Sequence, residues 1–319
     1  MRSLHEFHLY SVYFAPRGRE RLLRMGDQIG QMYLSYDDKL IGIVGDSGSG
    51  KSLILKGMFP GVDLANDDDG LDIHKVMQVR GMMESNYRNA TYHIDMRFEL
   101  AFMQMYEIVD FVKGALDKGR RVIIEHFDLL YPHLKINADL LLGVGEEIIV
   151  TRPNLFGPMP QDLYNIVIPS LKYRRMAHTA EDMTMTVLQD SYGVGLDTVV
   201  HGDVRGGFIV NFREKPDIDI EELETKIKAW MERSVDVTYL DDNNIKIGGM
   251  KIRCGGPRIH VRNTSEIVNF QLIKDFKYDS SIKMYSLIGL IGERNNVDIE
   301  KNDLNKISVG EIEGNRRDR

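Results

Sequence analysis

The segment Gly45-Asp46-Ser47-Gly48-Ser49-Gly50-Lys51-Ser52 constrains this chain more than any other. It matches G-x-x-x-x-G-K-[ST] at every fixed position. Its glycines let the backbone curl so that successive N–H groups can face phosphate oxygens. An apolar run, Leu40-Ile41-Gly42-Ile43-Val44, leads into it, as a buried parallel strand before a loop should. A helix-competent run, 52–58, follows, and a helix offers its positive N-terminal end to the same anion. Strand, loop and helix together point to a bound nucleoside triphosphate, with Gly45, Asp46, Ser47, Gly48, Ser49, Gly50, Lys51 and Ser52 around its phosphates. Lys51 would reach the β- and γ-phosphates, and the Ser52 hydroxyl would be a ligand of Mg2+. No Asn/Thr-Lys-x-Asp segment argues for a guanine pocket, so ATP is the default nucleotide.

Residues 1–170 carry the pattern of helices alternating with strands, which favours a parallel, helix-covered sheet. Apolar residues between 98 and 116 fall at helical spacing, Gly119 ends that segment, and Val122-Ile123-Ile124 opens another buried strand. A further strand is expected at 147–150. Tyr10, Tyr13 and Phe14 suit either a first strand or an interface.

The strand at 122–124 finishes in Glu125, a candidate for holding the metal or its water, with Asp128 as its competitor. Ligands in such sheets sit beyond the carboxyl ends of the strands. Asp67, in the run Asp67-Asp68-Asp69-Gly70 after a likely strand at 62–65, is a candidate base for an acceptor hydroxyl. A solvated acidic turn explains that run equally well. Arg88, Arg97 and Arg152 are alternative cations for a transition state.

The loop, together with Val122-Ile123-Ile124-Glu125-His126-Phe127-Asp128-Leu129-Leu130, resembles the uridine kinase and phosphoribulokinase group of P-loop kinases. His126 stands where that group has a glycine after the glutamate. The resemblance implies an α/β P-loop NTPase domain with a parallel sheet and phosphoryl transfer, without a specific acceptor; Lys51, Glu125 and, from its own acidic run, Asp67 are the candidate catalytic residues.

Beyond about residue 170 the pattern becomes mixed. Helices are expected from Ala177 and near 221–232, a hairpin from 235–240 and 244–253, and strands at 266–274 and 282–290. Two stretches, Arg174–Asp182 and Cys254–Ile267, resemble the second additional (editing) domain shared by threonyl- and alanyl-tRNA synthetases and free-standing alanyl editing proteins. The resemblance spans residues 171–291 and implies an α+β module. Positions i and i+4 of a helix share a face, so His178 and Asp182 can grip one ion, and Cys254 and His260 supply two more zinc ligands. Asp182 replaces the family's second helix histidine, and the Cys–His spacing is longer by two residues. The resemblance also implies a tRNA-related or aminoacyl substrate. Lys172, Arg174, Arg175, Arg253, Arg258 and Arg262 are candidates for phosphate contacts or are scattered surface cations.

Three functions compete: an ATP-dependent kinase whose second domain selects the acceptor, an aminoacyl-tRNA editing hydrolase with a regulatory NTPase domain, and a nucleotide-dependent binding protein without turnover. The first leads, because Lys51, Ser52 and Glu125 all favour chemistry at the phosphate end. A net charge of −7 gives no overall pull toward nucleic acid. No apolar run reaches the roughly 18–20 residues of a membrane span, and the N-terminus has no signal-peptide pattern. With Cys254 as the single cysteine, a reducing cytoplasm is expected. The polar tail, 292–319, is expected to be mobile.

Overall fold

Two apolar faces on one run of residues require cover on both sides, and β-strand Leu40–Gly45 shows it: all six of its residues are buried. In a computed structural model of the chain, residues 8–61, 90–292 and 304–305 are described. Contacts divide the chain into two compact units, one ending at Arg175 but including Val237–His260, the other comprising Met176–Asp236 and the residues from Val261 on.

In chain order the first unit begins with β1 (Tyr10–Phe14), α1 (Arg19–Tyr33), β2 (Leu40–Gly45) and α2 (Lys51–Met58). Then come β3 (Thr91–Asp95), α3 (Met96–Glu99), α4 (Met105–Asp117), β4 (Arg121–Glu125), α5 (Phe127–Leu134), β5 (Leu140–Val144) and β6 (Glu147–Thr151). The strands form one sheet in the order β1-β6-β5-β2-β4-β3. β5, β2, β4 and β3 are parallel to one another. β6 runs antiparallel to β5, and β1 antiparallel to β6, so the sheet is mixed where an all-parallel one was expected. The reason is local. Only Gly145 and Glu146 join β5 to β6, too short a link for the crossover a parallel pair needs.

Alternate residues of β2 serve two cores. Leu40 packs with Ile94, Phe111, Val122, Ile124 and Phe127. Ile41 and Ile43 pack with Leu22, Ile54, Leu55 and Ile123. The helix expected over 98–116 is two helices, because Asp95 caps α3 and Gln104 caps α4 in a reciprocal capping box with Glu107. α1 and α2 approach through glycines: a Cβ on Gly57 would lie 2.1 Å from the Leu23 carbonyl oxygen, and one on Gly26 2.2 Å from that of Ile54.

Helix α6 (Pro160–Tyr192) is continuous through both the expected boundary near residue 170 and the division at Arg175. The second unit adds β7 (Val199–Val204), β8 (Gly207–Phe212) and α7 (Ile220–Met231). The chain then returns to the first unit with β9 (Val237–Asp241), β10 (Asn244–Ile247) and β11 (Met250–Arg253), a three-stranded antiparallel sheet. The expected single strand 244–253 is broken by Gly248 and Gly249, whose φ of 58° and 88° make a two-residue hairpin turn. Although the sequence pattern groups these residues with the second module, Ile259 is buried in the first unit's core beside Leu22 and Ile54.

The second unit closes with β12 (Gln271–Leu272), β13 (Lys277–Asp279) and β14 (Met284–Leu290). Its sheet runs β12-β14-β8-β7, with β13 also on β14, and every pairing is antiparallel. Of the expected strand 266–274 only Gln271–Leu272 is a strand, and Glu266 instead ends a 3-10 turn, Thr264–Glu266, capped by Asn263. No described helix is long and apolar enough to cross a membrane. Of the tail 292–319, residues 293–303 and 306–319 lie outside the described residues.

Candidate functional site

The loop leaves β2 at Gly45 and turns twice through the left-handed region, at Gly48 (φ 73°) and Gly50 (φ 89°), before Lys51 opens α2. Side chains rarely adopt that conformation, so both positions favour glycine. Space is also short: a Cβ on Gly45 would lie 2.8 Å from the Val144 carbonyl oxygen, and one on Gly48 3.0 Å from that of Arg258.

Two consecutive arginines of α6 hold the loop's backbone. Arg174, 1% exposed, donates to the carbonyls of Ser49 (2.5 Å), Pro16 (2.5 Å) and Gly145 (3.2 Å). Arg175 donates to the Ser47 carbonyl at 3.0 Å. In a trans peptide the C=O and the next N–H point opposite ways, so these bonds turn the N–H groups of Gly48 and Gly50 away from the arginines. Arg174 is thereby part of the interior and not the surface phosphate contact that the basic run 172–175 suggested.

The charged groups gather at the carboxyl ends of the parallel strands. Glu125, the last residue of β4, stands in register with Ile43 of β2 and Asp95 of β3. Its carboxylate is buried and accepts a hydrogen bond from Ser52 Oγ at 3.2 Å. Lys51 Nζ lies 3.7 Å from it and donates to the Asp46 carbonyl at 3.0 Å. His93 Nε2 is 3.2 Å from the same carboxylate. Burial alone pushes the Glu125 carboxyl up, but the His93 hydrogen bond and the charges of His93 and Lys51 outweigh it and bring it down to about 2. His126, in the left-handed region at φ 58°, immediately precedes α5. Burial and the charges of Lys51 and Arg97 lower its pKa to about 4, which leaves the ring neutral near pH 7. Of the two competing carboxylates, Glu125 meets Ser52 and Lys51. Burial pushes the Asp128 carboxyl up, and its buried Oδ1 has no hydrogen-bond partner among the described residues.

Three residues that the sequence did not mark join this group. His93 and Asp95 come from β3, and Glu99 follows one turn later. Asp95 Oδ1 accepts from the backbone N–H of Arg97 (2.9 Å) and Phe98 (3.3 Å). Burial and the Asp95 charge push the Glu99 carboxyl up to about 7. The signal that could have found them is that Thr91-Tyr92-His93-Ile94-Asp95 ends in a carboxylate just as β4 does. Among the transition-state arginines, Arg97 donates to Asp46 Oδ1 at 2.9 Å. Arg152 is at the other end of the sheet, bound to Asp38 and to the carbonyls of Asp139 and Tyr33. Asp67 and Arg88 lie outside the described residues.

The four expected zinc ligands form one pair in each unit. In the first unit, buried Cys254 Sγ is 3.2 Å from His260 Nε2 and accepts from the Gly256 N–H at 3.3 Å. The turn at 255–259 takes up the long Cys–His spacing, and Arg19 N–H donates to the Gly255 carbonyl at 2.7 Å, tying this turn to the start of α1. Arg258 lies over the Tyr239 ring, 5.0 Å from its centroid. In the second unit, His178 Nε2 is 3.9 Å from Asp182 Oδ1, one helical turn on. Glu181, also on α6, pairs at 2.8 Å with His201 of β7.

No protein-family model matches the chain, and no curated protein does. Among solved structures it is similar to the ornithine aminotransferase from Toxoplasma gondii ME49, with 12% identity over 80% of this chain and 70% of that one and a TM-score of 0.24. A second structure of the Toxoplasma gondii enzyme, crystallised in the presence of oxidised glutathione, gives 10% identity over 80% and 68% and a TM-score of 0.22. Likeness at that level carries no argument about fold or function.

Proposed function

We propose that the chain is an ATP-dependent phosphotransferase, and that its second unit recognises a tRNA-related or aminoacyl substrate. The observation that carries the first part is the meeting of Ser52 Oγ, Lys51 Nζ and the ionised Glu125 carboxylate at the strand ends beside the loop. A hydroxyl beside a carboxylate is an oxygen donor set that suits Mg2+. Bound there, the ion would offset phosphate charge as phosphoryl transfer proceeds. Lys51 supplies a fixed positive charge, and the backbone N–H groups of the loop supply donors that need no reorganisation. His93 orients the Glu125 carboxylate through the 3.2 Å hydrogen bond.

Asp95 ends the strand next to Glu125, and its carboxylate is the group to which this reading gives the proton of an acceptor hydroxyl. The acceptor oxygen then bonds to the γ-phosphorus, the bond to the β-phosphate oxygen breaks, and ADP leaves. Asp67 stays a proposal for the same role.

The test is transfer of labelled γ-phosphate from ATP to a tRNA and aminoacyl-tRNA pool. Wild type is expected to transfer label, Lys51→Ala to lose both ATP binding and transfer, and Asp95→Asn to bind ATP but transfer little. Tight ATP binding by wild type with no turnover would replace the kinase by a nucleotide-dependent binding protein.

A second reading draws support from the 3.2 Å Cys254–His260 pair and the His178–Asp182 pair, whose thiol, imidazole and carboxylate donors are those zinc takes. It proposes zinc on these residues and hydrolysis of an aminoacyl ester.

A further inference from the structure

We propose that Arg97 is the residue by which this loop distinguishes a triphosphate from a diphosphate, with Asp46 competing against the γ-phosphate for its guanidinium. The proposal rests on nucleotide binding at Gly45–Ser52. Arg97 follows Asp95 by two residues, and Asp95 is in register with Glu125, so the arginine starts from the strand ends that hold Ser52 and Lys51 near Glu125. Its charge reaches His126 and Asp128, as does that of Lys51, which places both cations over one cluster. Its Nη1 donates to Asp46 Oδ1 at 2.9 Å, and Asp46 is the first residue after Gly45. Burial works against the charge on Asp46, but the Arg97 hydrogen bond, the Ser47 N–H and the charges of Arg97 and Arg175 keep its carboxyl below the usual range.

The exchange is decided by relative strength. The side chains of Arg97 and Asp46 are 47% and 35% exposed, so water screens their pair and it holds weakly. A terminal phosphate carries more charge than a carboxylate and can take a guanidinium through two parallel hydrogen bonds. The γ-phosphate therefore outcompetes Asp46, whereas a diphosphate, whose terminal β-phosphate would lie within the loop itself, puts no phosphate at the γ position for Arg97 to take. The other arginines around the loop have different work: Arg174 and Arg175 hold its carbonyls, and Arg152 is at the far end of the sheet.

Calorimetric titration of the full chain with MgATP and MgADP tests this in a double-mutant cycle. Arg97→Gln is expected to weaken MgATP by about 10- to 100-fold, the range for a hydrogen-bonded charge, while changing MgADP less than about two-fold. Arg97→Lys, which keeps charge but not the fork, should fall between. Asp46→Asn is expected to tighten MgATP by about two- to five-fold, a surface ion pair's worth, and that gain should vanish in the Arg97→Gln background. Equal weakening of both nucleotides by Arg97→Gln overturns the discrimination. An Asp46→Asn gain that survives without Arg97 overturns the competition. Wild type that binds MgATP but gives either result loses only this proposal, whereas wild type that binds neither nucleotide loses the nucleotide site as well.

Discussion

Replacing Glu125 by glutamine removes one charge and almost no volume, so it isolates what the buried carboxylate contributes. Its side chain is 2% exposed, within 3.2 Å of Ser52 Oγ and His93 Nε2 and 3.7 Å of Lys51 Nζ. Burial opposes its charge, yet the His93 hydrogen bond and the His93 and Lys51 charges lower the pKa from 4.5 to about 2. At about 1.36 kcal/mol per pKa unit, that shift stabilises the fold by about 3 kcal/mol at neutral pH. A second route gives a similar figure: stripping one partner from a buried pair leaves Lys51 uncompensated and costs about 3–5 kcal/mol. The sign follows from the direction. A lowered pKa gives stability that is fully present above pH 4.5 and is lost as pH falls toward 2. The difference between wild type and Glu125→Gln should therefore shrink as pH falls below about 4.5. Urea unfolding followed by far-UV circular dichroism measures it, with amide exchange of β2 and β4 peptides as the local probe. The single tryptophan, Trp230, is in α7 of the second unit, so its fluorescence is the wrong reporter. A loss under about 1 kcal/mol at pH 7, or a difference unchanged down to pH 3, would refute the reasoning.

Gly57→Ala puts a methyl group 2.1 Å from the Leu23 carbonyl oxygen and 2.9 Å from Asp27 N, backbone atoms that cannot swing aside. Separating α1 from α2 costs about 1–3 kcal/mol, partly offset by alanine's better helix propensity, so Tm should fall by roughly 2–8 °C. An unchanged or higher Tm means the helices accommodate the methyl group. For the metal pairs, zinc-loaded wild type dialysed at pH 7 is expected to retain about one zinc per chain by mass spectrometry, and Cys254→Ser a small fraction of that. Retention should also fall with pH, as protons compete for the thiolate and imidazoles. Wild type that keeps no zinc ends the zinc proposal.

The parts of the site that could be read from sequence are those built by neighbours along the chain. Gly48 and Gly50 are required where the backbone turns left-handed, Lys51 and Ser52 come next, and the buried run of β2 leads straight in. Glu125 was legible because a strand that ends in a carboxylate marks its own end. Asp95 carries the same mark, but what ties it and His93 to Glu125 is the pairing of β3 with β4, between residues some thirty positions apart in the chain. The hairpin 237–253 and the turn to His260 misled for a related reason. Their sequence position lies inside the second unit, yet their contacts belong to the first, where Ile259 is in the core and Arg19 N–H donates to the Gly255 carbonyl.

Strand polarity separates two of the three candidate arginines, Arg97 and Arg152, which residue type left together. Arg97 and Arg152 both follow a strand by one or two residues, β3 and β6, and nothing in their immediate sequence separates them. β3 is parallel to β4 and so ends beside the loop, whereas β6 is antiparallel to β5 and ends at Asp38, before β2 begins. The two-residue link Gly145-Glu146 therefore decides which of these two cations stands at the loop's end of the sheet. A longer crossover there would have allowed β6 to run parallel and carried Arg152 to the loop's end of the sheet. The choice is made some distance from either arginine, by the length of one turn.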